Sequence, residues 1–185
     1  TSLTGAKMNA KSVAKGLMRN DSPLSKYLIS STTIVEDMSK RDPKNNDPFF
    51  YSAELPDGNY KVTVVFGSKK KAGKTVVRAE SRRLMVDEVT TKKGEFKTVE
   101  FTVNKRTTFI SDLKYVKIKD REKDYPTWDD FLTLEFTGAA PAVKELRIER
   151  DTTATQVFLC GNSTVTDQPG EPYASWGQMA PVWFG

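Results

Sequence analysis

The feature that most constrains this chain is a succession of short segments, between residues 49 and 149, in which apolar and polar residues alternate. In Tyr60–Phe66 the apolar side chains fall at every second position, and Thr98–Asn104 repeats the pattern. A period of two is typical of a β-strand with one buried face, because successive side chains point to opposite sides. The sequence therefore predicts that this region folds as β-sheet.

Turn-forming residues separate these segments along the chain. Pro56-Asp57-Gly58-Asn59 precedes one strand, and Lys92-Lys93-Gly94-Glu95 precedes another. The predicted strands are Phe49–Leu55, Tyr60–Phe66, Thr75–Glu80, Arg83–Thr90, Thr98–Asn104, Tyr115–Lys119, Leu132–Phe136 and Val143–Glu149. No helical pattern alternates with them, which argues against a parallel sheet. The predicted fold class is mainly β, with an antiparallel, jelly-roll-like β-sandwich over residues 48–150.

Residues 1–47 are predicted to form an N-terminal helix and a linker, and their role stays open. Apolar residues recur at helical spacing in the first 20 residues, and the run from Asn20 to Pro23 ends that pattern. Residues 24–38 contain enough β-branched side chains to favour a strand. The run Asp42–Pro48 has the composition of a loop.

Residues 151–185 differ in composition from the sandwich. They contain no Lys or Arg and three acidic residues, whereas residues 1–150 carry a net charge of +8. Val157–Cys160 is a continuous apolar run, typical of a strand buried on both faces, which would also bury the single cysteine. The run Gly161–Thr164 follows at once, and a helix is predicted over Ser175–Phe184. This order predicts the first strand and helix of an α/β domain.

Ser163 is the candidate catalytic residue of the chain. It follows the predicted buried strand, and open α/β sheets place their ligand sites at the carboxyl ends of strands. A serine nucleophile usually needs a histidine base, and the chain contains no histidine. Taken alone, the four residues Gly161–Thr164 are better explained as an ordinary turn between a strand and a loop.

The surrounding sequence gives this turn a family context. The stretches Val157–Gln168 and Ser175–Met179 resemble the first sequence block of SGNH/GDSL hydrolases, and most of all the rhamnogalacturonan-acetylesterase group. Upstream, the chain is similar to the galactose-binding-like accessory domain that often precedes such esterases. The stretches that carry this second similarity are Leu55–Val62, Ala79–Met85, Phe101–Asn104, Arg121–Lys123, Trp128–Asp130 and Leu132–Phe136.

The resemblance implies an incomplete serine esterase. Residues 151–185 would be the start of a truncated SGNH domain, with Ser163 as nucleophile. The motif neighbours implied by the resemblance are Gly161, Asn162, Thr164, Asp167, Trp176 and Gly177. The family's base is a histidine in a later Asp-x-x-His motif, so a missing C-terminal catalytic segment would have to supply it. Asn162 stands where the family usually has aspartate.

The resemblance also sets expectations for ligands and location. The substrate would be a plant polysaccharide or acetylated oligosaccharide such as pectin. No cofactor and no metal would be required. The parent protein would be bacterial, and secreted or periplasmic. Because basic residues are interleaved with acids, nucleic acid is not an expected partner. A membrane is not expected either, since no apolar run approaches the roughly 20 residues of a spanning helix.

A non-catalytic carbohydrate-binding or docking module is the alternative function. Trp128 and Tyr125 are the candidate sugar-binding residues, since exposed aromatic rings stack on sugars, although such rings more often fill a core. The pair Arg82-Arg83 could bind a carboxylated sugar, and a surface pair on a strand is the simpler explanation.

Overall fold

The computed structural model describes residues 2–19, 22 and 33–184. An N-terminal helix, α1, spans Leu3–Arg19, and ten strands follow. The strands are β1 (Ile34–Asp37), β2 (Phe49–Glu54), β3 (Gly58–Phe66), β4 (Gly73–Ala79), β5 (Arg83–Thr91), β6 (Lys97–Lys105), β7 (Phe109–Ser111), β8 (Lys114–Tyr115), β9 (Phe131–Ala140) and β10 (Val143–Asp151). A short helix, α2, spans Trp176–Met179 and continues as a 3-10 turn over Ala180–Trp183.

Eight of these strands form two four-stranded sheets. One sheet has the order β1-β10-β3-β6 and the other has the order β2-β9-β4-β5. Every pairing within them is antiparallel. Strands β7 and β8 pair only with each other, as a small separate hairpin. The chain passes repeatedly from one sheet to the other, so each sheet is completed by segments distant in sequence.

A single apolar core lies between the two sheets. The first sheet contributes side chains such as Val62 and Ile148, and the second contributes Leu134 and Phe136, all of them fully buried. The exposed fraction alternates along β3 from one residue to the next, as the period-two pattern requires. Apolar and polar residues therefore alternate because each strand has one face on the core and one face toward solvent.

The connections of the sandwich gather at two opposite ends. One end carries the loop 67–72 between β3 and β4, together with the link between β9 and β10. The other end carries the turn between β4 and β5, residues 80–82. A seven-residue strand separates them, so they lie roughly 20 Å apart.

The prediction of a mainly β, antiparallel sandwich is confirmed. The strand predicted over Tyr115–Lys119 is wrong, because only Lys114–Tyr115 pairs, and its partner, β7, was not predicted. The helix predicted for the first 20 residues is present as α1. Of the strand favoured over residues 24–38, only β1 falls within the described residues, since 23–32 lie outside them.

The predicted buried strand over Val157–Cys160 is wrong. These residues form no strand, and Val157 and Phe158 are 65% and 72% exposed. Cys160 is a free, exposed thiol and not a buried one. A strand buried on both faces needs neighbouring strands at its edges and layers on its faces, and none of the described residues supplies them here. The apolar composition of this run favours burial, but in the structure these residues are exposed.

Among the described residues, helices that combine the length and the apolar character needed to traverse a bilayer are absent.

Candidate functional site

The turn between β4 and β5 forms the base of the candidate site. Glu80 and Arg82 have positive φ angles of 55° and 62°, and the N–H of Arg82 donates to the carbonyl of Glu80 at 2.8 Å. Ser81, between them, is buried. Left-handed conformations at two non-glycine residues are uncommon and need support from surrounding contacts. Here the support comes from residues 162–184, which lie against this turn.

The Ser163 turn, defined as residues 162–165, is closed by its own side chains. The N–H of Val165 donates to the carbonyl of Asn162 at 3.0 Å. The Asn162 side-chain oxygen accepts from the N–H of Thr164 at 3.0 Å and from its hydroxyl at 2.8 Å. This is the local hydrogen bonding by which asparagine stabilises turns. Asn162 therefore orders the backbone on both sides of Ser163.

Ser163 is exposed at the top of this turn. Its carbonyl accepts from the Gln168 side-chain amide at 3.0 Å. Its hydroxyl and its backbone N–H have no hydrogen-bond partner in the part of the chain that the structure describes. The residue thus combines a fixed backbone with two polar groups that remain available to a ligand.

Asp167 connects the Ser163 turn to the sandwich. Its carboxylate accepts from Nε of Arg83 at 3.1 Å and from the Thr127 hydroxyl at 3.2 Å, and Nη2 of Arg83 forms an ion pair with the same oxygen at 3.1 Å. The side chains of Arg83 and Asp167 are only 12% and 18% exposed. Hydrogen bonds between ionised groups are among the strongest in proteins, and screening by water is weak at this burial. Asp167 therefore has a structural partner on β5.

Gln178 makes the second connection, from helix α2. The side chain is fully buried, and its Nε2 donates to the carbonyl of Ser81 at 2.6 Å and to that of Gln168 at 2.9 Å. Its Oε1 accepts from the N–H of Ser175, whose hydroxyl accepts from the N–H of Gln178. This reciprocal pair is a capping box, which starts the helix and fixes the orientation of the glutamine.

Arg82 holds the loop between the Ser163 turn and α2. Its guanidinium donates to the Glu171 carboxylate at 2.6 Å and to the carbonyl of Tyr173 at 3.0 Å. Arg78 on β4 adds a second ion pair to Glu171 at 3.2 Å. The pair Arg82-Arg83 does recognise carboxylates, but in this structure they are those of Glu171 and Asp167 of the same chain.

Trp176 and Gly177 contact the Ser163 turn directly. The N–H of Trp176 donates to the carbonyl of Thr164 at 3.0 Å, while its indole is 57% exposed. A Cβ on Gly177 would overlap the carbonyl of Val165, and one on Gly161 would press against the Val165 side chain. The residues of the predicted motif are thus brought together around one turn, with glycine required at the closest approach.

Two titratable groups beneath the site have shifted pKa values. Burial raises the pKa of Glu80 to about 7, an effect that the hydrogen bond from the N–H of Thr133 and the charge of Arg83 only partly offset. The second carboxylate oxygen of Glu80 is buried with no hydrogen-bond partner among the described residues. Burial, and then repulsion from Arg83, lowers the pKa of Arg106.

The predicted sugar-binding aromatic residues lie beside the same network. Tyr125 and Trp128 are both half-buried, and the Arg106 guanidinium lies 5.5 Å from the centre of the Trp128 ring. Between them, Thr127 is buried and bonds to both Ser81 and Asp167. The structure therefore places Trp128 close to Asp167, with a cation over one of its faces.

No pattern in the sequence marks Arg83, Gln178, Ser81 and Thr127 as members of one network. Arg83 and Asp167 are 84 residues apart, and no local pattern pairs residues at that distance. One signal was available, because Ser175 and Gln178 have the spacing of a capping box.

The arrangement can present a hydroxyl to a ligand. The chain has no histidine, and in the described ranges no three His, Cys, Asp or Glu side chains converge to hold a metal ion. The chain matches no protein-family model, no curated protein and no solved structure.

Proposed function

We propose that this chain is the N-terminal portion of a secreted serine esterase that removes acetyl groups from a plant polysaccharide such as pectin. Ser163 is the nucleophile in this proposal. The observation that carries it is the combination at Ser163 of a fixed backbone with an exposed, unpaired hydroxyl and N–H. Acyl transfer requires both groups, the first for attack and the second to stabilise a developing oxyanion.

The proposed reaction follows from these two groups. The Ser163 hydroxyl attacks the carbonyl carbon of a sugar acetate, and its proton passes to a histidine. The bond to the sugar oxygen then breaks, the histidine protonates the departing sugar oxygen, and acetyl-Ser163 remains. Water, deprotonated by the same histidine, attacks acetyl-Ser163, and the histidine returns that proton to the serine oxygen as acetate leaves. Since these 185 residues contain no histidine, the proposal requires a base from a segment outside them.

Exposed apolar side chains in residues 157–184 support a further layer of protein on this part of the chain. Val157, Phe158, Trp183 and Phe184 are 65%, 72%, 84% and 68% exposed. Exposed apolar patches of this kind usually mark an interaction surface. In the proposal, the segment that carries the histidine packs on this patch.

The test compares acetate release with and without the proposed base. The 185-residue chain should not hydrolyse acetylated pectin or a chromogenic acetyl ester. A polypeptide that extends this chain with a histidine-bearing segment should do so, and Ser163→Ala should lower kcat/KM by about 10³-fold or more. Ser111→Ala, at an exposed serine of the β7–β8 hairpin, is the matched control and should keep full activity.

Two results would contradict the esterase proposal. The first is an extended polypeptide whose acetate release survives Ser163→Ala. The second is hydrolysis by the 185-residue chain that is lost on Ser163→Ala, because the serine would then act without the external base.

A carbohydrate-binding module is the second candidate, and the position of Trp128 is the observation in its favour. The half-buried ring follows Thr127, which bonds to Asp167, and it has Arg106 on one face. Titration calorimetry with pectin fragments separates the two functions. Binding that Trp128→Ala abolishes favours the module, and the absence of binding to any glycan disfavours it.

A further inference from the structure

A cavity of about 320 Å³ lies at the end of the sandwich opposite the Ser163 turn. It is formed by the segment before β2, the loop between β3 and β4, and the link between β9 and β10. Its lining includes the rings of Phe49 and Phe96 and the apolar side chains of Met38 and Pro43. The volume is within the range of small-molecule sites, and a mixed apolar and polar lining is typical of them.

The charge of this cavity is strongly one-sided. Five cationic side chains line it, against a single carboxylate, that of Asp42. The cations are Arg41, Lys69, Lys70, Lys71 and Lys144. They come from three separate segments, so the sequence run Lys69–Lys71 supplies only part of the set. A concave surface of one charge sign attracts ligands of the opposite sign.

Two of these cations are fixed in place. Arg41 stacks over the Phe49 ring at 4.3 Å and donates to the carbonyls of Asn45 and Asp47. Lys71 donates to the carbonyl of Asn45 at 3.2 Å and to the Asn46 side chain at 2.7 Å. Burial and then repulsion from Arg41 lower the pKa of Lys71. The loop carbonyls thus hold two like charges close together.

The other three cations remain available to a ligand. Lys69 and Lys70 are exposed, and neither has an ion pair within the described residues. The Lys144 ammonium lies 5.3 Å from the centre of the Phe96 ring. Phe96 is itself 37% exposed, so an apolar surface adjoins these charges.

We infer that this cavity binds a segment of an acidic polysaccharide, with uronate carboxylates on Lys69, Lys70 and Lys144 and a sugar ring against Phe96. Lys69 and Lys70 come from the loop between β3 and β4, and Lys144 comes from β10, so these cations suit a ligand with several separated charges better than a single small anion. The choice of a plant uronate polymer rests on the proposed function. The site lies at the far end of β4, roughly 20 Å from the β4–β5 turn, and would hold the polymer as a second contact along one chain.

The experiment measures binding of galacturonate oligomers to the 185-residue chain by titration calorimetry. Lys69→Gln/Lys70→Gln removes two cations that make no side-chain hydrogen bond or ion pair within the described residues. It should weaken binding about tenfold, because two exposed charge contacts are lost. Lys114→Gln/Lys117→Gln, at exposed lysines in and just after β8, removes the same charge and should bind like wild type. In roughly 1 M salt, where the Debye length is about 3 Å, binding should be lost.

Ligand controls test whether the site recognises the carboxylates of uronates. Fully methyl-esterified oligomers have the same sugar rings without the charge and should not bind. Equal loss of affinity in both double variants would overturn the proposal, as would binding of single-stranded DNA at least as tight as that of the galacturonate. Ser163→Ala should bind like wild type, so failure here and failure of the esterase proposal are separate results.

Discussion

Glu80→Gln tests the prediction that a buried carboxyl beneath the Ser163 turn destabilises the fold as pH rises. The ordinary pKa of this carboxyl is 4.5, and burial raises it to about 7 in the folded chain. Between these values the folded state binds more protons than the unfolded state. Stability therefore falls as pH rises through this window, and the loss is complete above the folded pKa.

The magnitude follows from the size of the shift. A difference of about 2.5 pKa units corresponds to roughly 3 kcal/mol, of which roughly 2–3 kcal/mol develops between pH 5 and pH 8. Glutamine keeps the acceptor for the Thr133 N–H, which Glu80 Oε1 now provides at 3.0 Å, and it cannot ionise. The free energy of unfolding of Glu80→Gln, measured relative to that of wild type, should therefore rise by this amount between pH 5 and pH 8.

Urea denaturation at the two pH values measures the effect. The m-values of such domains are about 1–3 kcal/mol/M. The difference between the urea midpoints of Glu80→Gln and wild type should therefore change by about 1 M or more between pH 5 and pH 8. A constant offset from the new amide hydrogens does not matter, because only the change with pH is compared. Glu88→Gln, at an exposed carboxylate on β5, is the control and should show no such change. A pH-independent difference between wild type and Glu80→Gln would refute the reasoning.

Two further predictions concern other contacts. Lys105 is fully buried, and its ammonium lies 3.0 Å from the Asp57 carboxylate. In urea denaturation, Lys105→Met should therefore lower the free energy of unfolding by roughly 3–5 kcal/mol. Adding Asp57→Asn should recover part of this loss. Full stability of the single variant would contradict this. Gly177→Ala should displace the Val165 carbonyl and speed exchange of the Gln178 amide roughly tenfold or more. Gly170→Ala, where a Cβ meets nothing within 4 Å, should leave exchange unchanged, and equal rates in both variants would refute the steric argument.

The sandwich could be predicted from the sequence because its information is local. Along β3 and β6, the alternation of side chains states directly which face of each strand is buried. The β7–β8 hairpin was not predicted because β7 has three residues and β8 has two, which is too short for an alternating pattern to show.

The candidate site was only partly predictable, for two physical reasons. The residues around Ser163 are close together in sequence, but Arg83 joins Asp167 across 84 residues. Such a contact depends on how the sheets fold, which no local pattern encodes. The prediction of a buried strand over Val157–Cys160 was wrong for a different reason. An apolar run indicates a tendency to be buried but does not specify which segment it packs against.

Amide hydrogen exchange of wild type and Arg83→Ala tests most directly whether the sandwich holds the serine-bearing turn in place. The amides of Val165, Trp176 and Gln178 should be protected in wild type, because each donates within the docked segment. Arg83→Ala should remove that protection while the core strand amide of Leu134 stays slow. Unprotected amides in wild type, or unchanged protection in Arg83→Ala, would contradict the account.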